Sequence, residues 1–113
     1  MPTLLENIKS HCQREITRLE SEMAAFVEKF KQYPADTLKW SQDIFRDSAL
    51  LEANQRLVAQ IDKGRNHDEL TKSWADHMHN MALYPCQSTS QAWNTMEQFR
   101  LAATAHIIDV IKA

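Results

Sequence analysis

Three side chains within one helical turn, Asp76, His77 and His79, are of the types that bind metals. Asp76 and His79 are three positions apart and would share a helix face, a spacing that two ligands of a divalent ion can use. The two histidines are only two positions apart and would point to different faces. We therefore expect one histidine at the edge of the core and one in solvent. A metal- or small-ligand-binding bundle that uses these three residues remains the first alternative.

Nucleophilic and phosphate-binding chemistry have weaker support in the sequence. Cys12 falls among apolar residues, where a buried thiol acts as a small hydrophobic side chain. Cys86 is the better candidate for a reactive thiol, because it precedes a predicted helix, but no base can be assigned to it. The hydroxyls of residues 88–90 are explained by helix capping, since the segment lacks the glycines of phosphate loops. We predict no enzyme activity, no catalytic residue and no cofactor.

Aromatic side chains point instead to a contact with another protein. Trp74 and Trp93 fall on predicted core stripes, whereas Trp40 lies beside the apolar stripe of its helix. Aromatic residues left at a surface are typical anchors of protein interfaces. We predict a contact patch formed by Trp40 with Tyr33 and Tyr84, which stand where helices end.

Composition limits the classes of protein that fit. The 113 residues include one glycine, Gly64, and three prolines, too few for the many turns of a sheet protein. The net charge of −2 is spread evenly and offers no basic face to a nucleic acid. A helix-turn-helix at Gly64 is the second alternative, but Asp68 and Glu69 would begin its recognition helix and repel DNA.

No apolar run spans a bilayer and no signal peptide is recognisable, so we expect a cytoplasmic protein.

The first helix is predicted over residues 4–32. Thr3 and Glu6 form a capping box at its start, and the Tyr33–Pro34 step ends it. Its apolar side chains recur three and four positions apart, which is the pattern of a helix that packs against a partner helix. They are Leu5, Ile8, Cys12, Ile16, Leu19, Met23, Phe26 and Phe30.

Three more helices follow. Asp36 is expected to cap the second, which should close at Lys63 with Gly64 in the left-handed conformation. A third is predicted over about 67–83, capped by Asn66 and Glu69. Ser88 or Ser90 should cap the fourth, which runs to the end of the chain.

These elements predict an all-α, four-helix bundle-like single domain over residues 1–113. A long N-terminal antiparallel helical hairpin should precede two shorter helices. Unless the shorter pair is offset, part of the apolar seam of the longer pair would then stay uncovered. An uncovered seam favours a protein partner, either a second copy in a homodimer or another protein.

The segment Tyr84-Pro85-Cys86-Gln87-Ser88-Thr89-Ser90, continuing to Asn94-Thr95-Met96-Glu97-Gln98-Phe99, resembles short helical proteins encoded by bacteriophages and prophages. The resemblance identifies no specific family and carries no functional residue. It implies a phage or prophage accessory protein that binds and modulates a host protein, for example an inhibitor such as an anti-CRISPR. Together with the seam, it predicts a non-enzymatic helical protein-interaction module.

Overall fold

The computed structural model describes the backbone of residues 3–34, 37–83 and 91–112, and their side chains apart from 37–41, 83 and 91–93. Within these ranges the chain forms four α-helices and no strand, so the predicted all-α fold is confirmed. The helices are α1 (Leu4–Gln32), α2 (Thr37–Asp62), α3 (His67–Leu83) and α4 (Gln91–Lys112). No helix in the described ranges is long and apolar enough to cross a membrane.

The N-terminal boundary of α1 follows from the predicted capping box. The Thr3 hydroxyl accepts a hydrogen bond from the Glu6 amide, and the Glu6 carboxylate accepts one from the Thr3 amide, both at 3.1 Å. These bonds satisfy amides that the first turn of a helix leaves without partners. At the other end, the Tyr33 amide still bonds to the Lys29 carbonyl at 2.8 Å, and α1 ends there as predicted.

The link between α2 and α3 also follows local chemistry. Gly64 has a φ of +89°, the left-handed conformation that glycine adopts at least cost, and its amide bonds to the Ile61 carbonyl. Asn66 then caps α3, because its side chain accepts a 2.8 Å hydrogen bond from the Glu69 amide. The predicted caps at Asp36, Ser88 and Ser90 lie outside the described residues.

Two contacts between helix ends define the topology. An ion pair between Lys9 and Asp62 joins the start of α1 to the end of α2, so these helices form the predicted antiparallel hairpin. The Nε2 atom of His67 donates to the Ile111 carbonyl at 2.8 Å, which joins the start of α3 to the end of α4. The helices therefore alternate in direction. Helices α2 and α4 run parallel and pack directly against each other, with α1 against α2 and α3 against α4.

The core lies where all four helices meet, and it occupies only the first part of α1. Its buried members come from every helix, and Leu57, Leu70 and Ile107 are fully buried. The cluster consists of Ile8, Cys12, Ala49, Ala53, Leu57, Leu70, Trp74, Ala103, Ile107 and Ile111. Trp74 is fixed within it by a 2.8 Å hydrogen bond from its indole nitrogen to Gln60.

Helix α2 buries two faces, because it lies between α1 and α4. Ala49, Ala53 and Leu57 recur four positions apart on one face. Asp47 and Asn54, seven positions apart, are buried on another, at 2% and 1% exposure. The sequence pattern treated α2 as a single apolar stripe, and it did not predict either of these buried polar residues.

Candidate interaction surface

The second half of α1, residues 20–32, contains no buried side chain. We call this segment the distal half of α1. The buried residues of the helix are Ile8, Cys12 and Leu19, all in its first part. Hydrophobic side chains continue into the distal half, where Val27 is 51% exposed. The sequence predicted that part of the hairpin's seam is uncovered without placing that part, and Val27 lies beside the predicted seam residues.

The inner side of the distal half is only partly covered. Met23, Phe26 and Phe30 continue the seam along α1 and are half-buried. The Lys29 ammonium lies 5.6 Å from the centre of the Phe26 ring, close enough for a cation–π contact. Beyond Leu19, therefore, no residue of the seam is fully buried.

Four exposed residues of the distal half form a second line along its outer side, which we call the outer stripe. They follow one another at steps of four, three and four, the spacing that keeps residues on one side of a helix. They are Glu20, Ala24, Val27 and Lys31. The stripe thus has a short apolar centre with an acidic residue at one end and a basic residue at the other.

Neighbouring charges on α1 are already engaged along the helix. The Arg18 guanidinium bonds to Glu15 and to Glu22, both at 2.7 Å. The hydrogen bond from Arg18 holds the pKa of Glu15 below its usual value. Glu20 forms no ion pair with any side chain in the described ranges, so this carboxylate is available to a partner.

A carboxylate pair, buried Asp47 of α2 and partly exposed Glu22, lies between α2 and the distal half of α1. Burial, and after it the neighbouring Glu22, together raise the pKa of Asp47 to about 6, while Arg46 opposes the rise. Two ionised carboxylates have no proton to share, so Asp47 and Glu22 can hydrogen-bond only when one of them holds a proton, and the raised pKa of Asp47 places that proton on Asp47. That bond lowers the pKa of Glu22. The pair acts on hairpin stability, and we assign it no catalytic role.

The predicted aromatic patch can be examined at one of its three positions. Tyr33 is 56% exposed at the C-terminal end of α1, as an interface anchor would be. Tyr84 and the side chain of Trp40 lie outside the described residues. The side chain of Trp93 does so too, whereas Trp74 lies in the core, as predicted.

The candidate metal ligands lie on the exposed side of α3. Asp76, His77 and His79 are all exposed, and the His77 ring meets Trp74 edge-on with centroids 6.3 Å apart. Among the described residues, no group of three or more histidine, cysteine or acidic side chains is arranged to hold a metal ion. The structure therefore gives this alternative no geometric support.

Of the two cysteines, only Cys12 lies among the described residues. Cys12 is fully buried, and burial followed by the nearby charge of Glu15 raises its pKa to about 11. A protonated, inaccessible thiol is a poor nucleophile. Cys86 lies outside the described residues.

A cavity of about 310 Å³ between α2, α3 and α4 was not predicted from the sequence. Its floor contains Trp74 and Thr104, and its rim carries charges of both signs. Arg100 on that rim is held by Glu97 at 2.7 Å. Because the charges are balanced and already paired within the protein, the cavity favours no particular ligand.

Comparisons of the chain with models of protein families, with curated proteins and with solved structures found no match.

Proposed function

We propose that the chain is a non-enzymatic helical interaction module that self-associates through the distal half of α1. The exposure of Val27 is the observation that carries the proposal. This side chain is 51% exposed in a helix half where no side chain is buried. Covering an apolar side chain is favourable by about 25 cal/mol for each Å² removed from water.

The charges around Val27 favour a second copy as the partner. Glu20 and Lys31 flank it with opposite signs, so the outer stripe itself carries no net charge that would attract an oppositely charged partner. A surface that pairs with its own copy must instead be complementary to itself. Tyr33, exposed at the end of the same helix, extends the region available for contact.

A phage or prophage setting is a narrower proposal. It rests on the resemblance of the segments 84–90 and 94–99 to short phage-encoded proteins. In that setting the module would bind and modulate a host protein. The genes that flank the coding sequence test the setting, since genes for phage structural or regulatory proteins are expected beside it.

Sedimentation equilibrium from about 10 µM to about 1 mM tests self-association, a range that covers weak dimers. We expect the apparent mass of the wild-type chain to rise toward that of a dimer. Val27→Asp should stay monomeric, because it would bury a charge at the contact. Ala75→Asp is the matched control, since Ala75 is exposed on α3 and should leave association unchanged.

Circular dichroism of both variants checks that the helices are retained. A wild-type chain that stays monomeric over the whole concentration range contradicts the proposal. Equal loss of association in Val27→Asp and Ala75→Asp contradicts the assignment to the distal half.

A further inference from the structure

The positions of the outer stripe are symmetric about its centre, with apolar residues in the middle and opposite charges at the two ends. Glu20 and Lys31 are equally far from its centre, and so are Ala24 and Val27. The stripe covers about 17 Å of helix at a rise of 1.5 Å per residue. When the helix direction is reversed about this centre, each acidic end falls on a basic end, and the two apolar residues fall on each other.

We infer, resting on the proposed self-association, that two copies pair antiparallel through their outer stripes about a two-fold axis. Glu20 of each copy then meets Lys31 of the other copy. Ala24 of each copy packs against Val27 of the other, so the centre of the contact is apolar. A two-fold axis repeats each interaction twice, as in most homodimers.

The charges select the antiparallel arrangement. Parallel pairing in register would place Glu20 against Glu20 and Lys31 against Lys31, and like charges across a contact are unfavourable. Antiparallel pairing converts both contacts into attractions. The small side chain of Ala24 also allows the two helix backbones to approach closely, which increases packing at the centre.

The ion pair between Lys31 and Glu28 of the same helix does not prevent Lys31 from pairing with Glu20 of the other copy. Lys31 lies 3.3 Å from Glu28, and the two side chains are 68% and 66% exposed. Such exposed pairs contribute little, so Lys31 can turn to a new carboxylate. Because the stripe is short, we expect a weak dimer, with a Kd of roughly 10 µM to 1 mM.

Charge reversal tests the arrangement with purified full-length chains. Glu20→Lys alone places like charges at both contacts, and so does Lys31→Glu alone. We expect each variant to dimerise roughly tenfold to a hundredfold more weakly than the wild-type chain. An equimolar mixture of the two should recover wild-type affinity, because one copy then presents two cations to two carboxylates of the other.

Three further measurements complete the test. The double variant with both substitutions in one chain should also dimerise like the wild type, since both contacts again join opposite charges. In about 0.5 M salt the differences between variants should shrink, because screening weakens exposed charge pairs. Asp109→Lys, at an exposed position on α4, is the control and should dimerise normally.

The outcomes separate this inference from the proposed function. If the wild-type chain dimerises but the mixture and the double variant are no tighter than the single variants, the antiparallel pairing is wrong and self-association stands. If neither single reversal weakens the wild-type dimer, the pairing is also wrong. If the wild-type chain never dimerises, self-association itself is wrong.

Discussion

Replacing Asp47 with asparagine removes a buried carboxyl group while keeping its shape. The pKa of Asp47 is 3.8 in the unfolded chain and about 6 in the folded one, mainly because the side chain is buried. The folded protein therefore holds this proton more tightly. The resulting stabilisation is fully present below pH 3.8 and is lost as the pH rises through about 6.

The expected change in the free energy of unfolding follows from the difference between the folded and unfolded pKa values of Asp47. At about 1.4 kcal/mol for each pH unit, full ionisation of Asp47 lowers the free energy of unfolding by about 3 kcal/mol. The lowered pKa of Glu22 offsets part of this effect. We expect Asp47→Asn to be more stable than the wild-type chain by about 2 kcal/mol at pH 7.5, and about equal to it at pH 4.

Urea denaturation followed by circular dichroism, at several pH values between 4 and 7.5, measures this difference. Asp43→Asn is the control, since Asp43 lies one turn away on α2 with a side chain that is 44% exposed, and it should show little effect. The reasoning is refuted if Asp47→Asn is no more stable than the wild type at pH 7.5, or if its advantage is the same at both ends of the range.

Three further predictions concern stability and thiol access. Leu57→Ala should lower the free energy of unfolding by about 2 to 5 kcal/mol, because it opens a cavity in the core. Val27→Ala should change the free energy of unfolding of the monomer by less than about 0.5 kcal/mol. Thermal melts in dilute solution compare the two variants. Gly64→Ala should cost about 1 kcal/mol through its positive φ alone, as nothing lies within 4 Å of the added methyl group; an equal or higher melting temperature would contradict this. In a Cys86→Ser chain, the buried Cys12 should react with a thiol reagent only as fast as the protein opens, so immediate reaction in native buffer would show that it is accessible.

Three helix boundaries were predictable because the signal for each lies in a few neighbouring residues. The Thr3–Glu6 capping box, the Asn66–Glu69 cap and the left-handed Gly64 act within one or two turns. None of them depends on which helix lies alongside. The buried state of Cys12 and Trp74 was predictable for a related reason, since both fall on an apolar stripe.

The burial of Asp47 and Asn54 could not be read in the same way. Both are buried because α2 has neighbours on two sides, and that depends on the packing order of the helices. The regular spacing of Ala49 and Ala53 with Leu57 was a usable signal for the second buried face, but alanine adds little to an apolar pattern. The outer stripe was missed because Ala24 and Val27 fall outside the apolar seam from which the contact face of α1 was predicted.

The direct packing of α2 on α4 has a consequence for how the chain folds. The α1–α2 hairpin can grow outward from the short link between its helices, whereas docking α4 on α2 closes a loop of about 50 residues in one step and loses more chain entropy at once. We therefore expect the hairpin to form early and the arrival of α4 to limit the folding rate. Until then the face of α2 that carries Leu57 is open to water, and it is the surface through which a partly folded chain would aggregate.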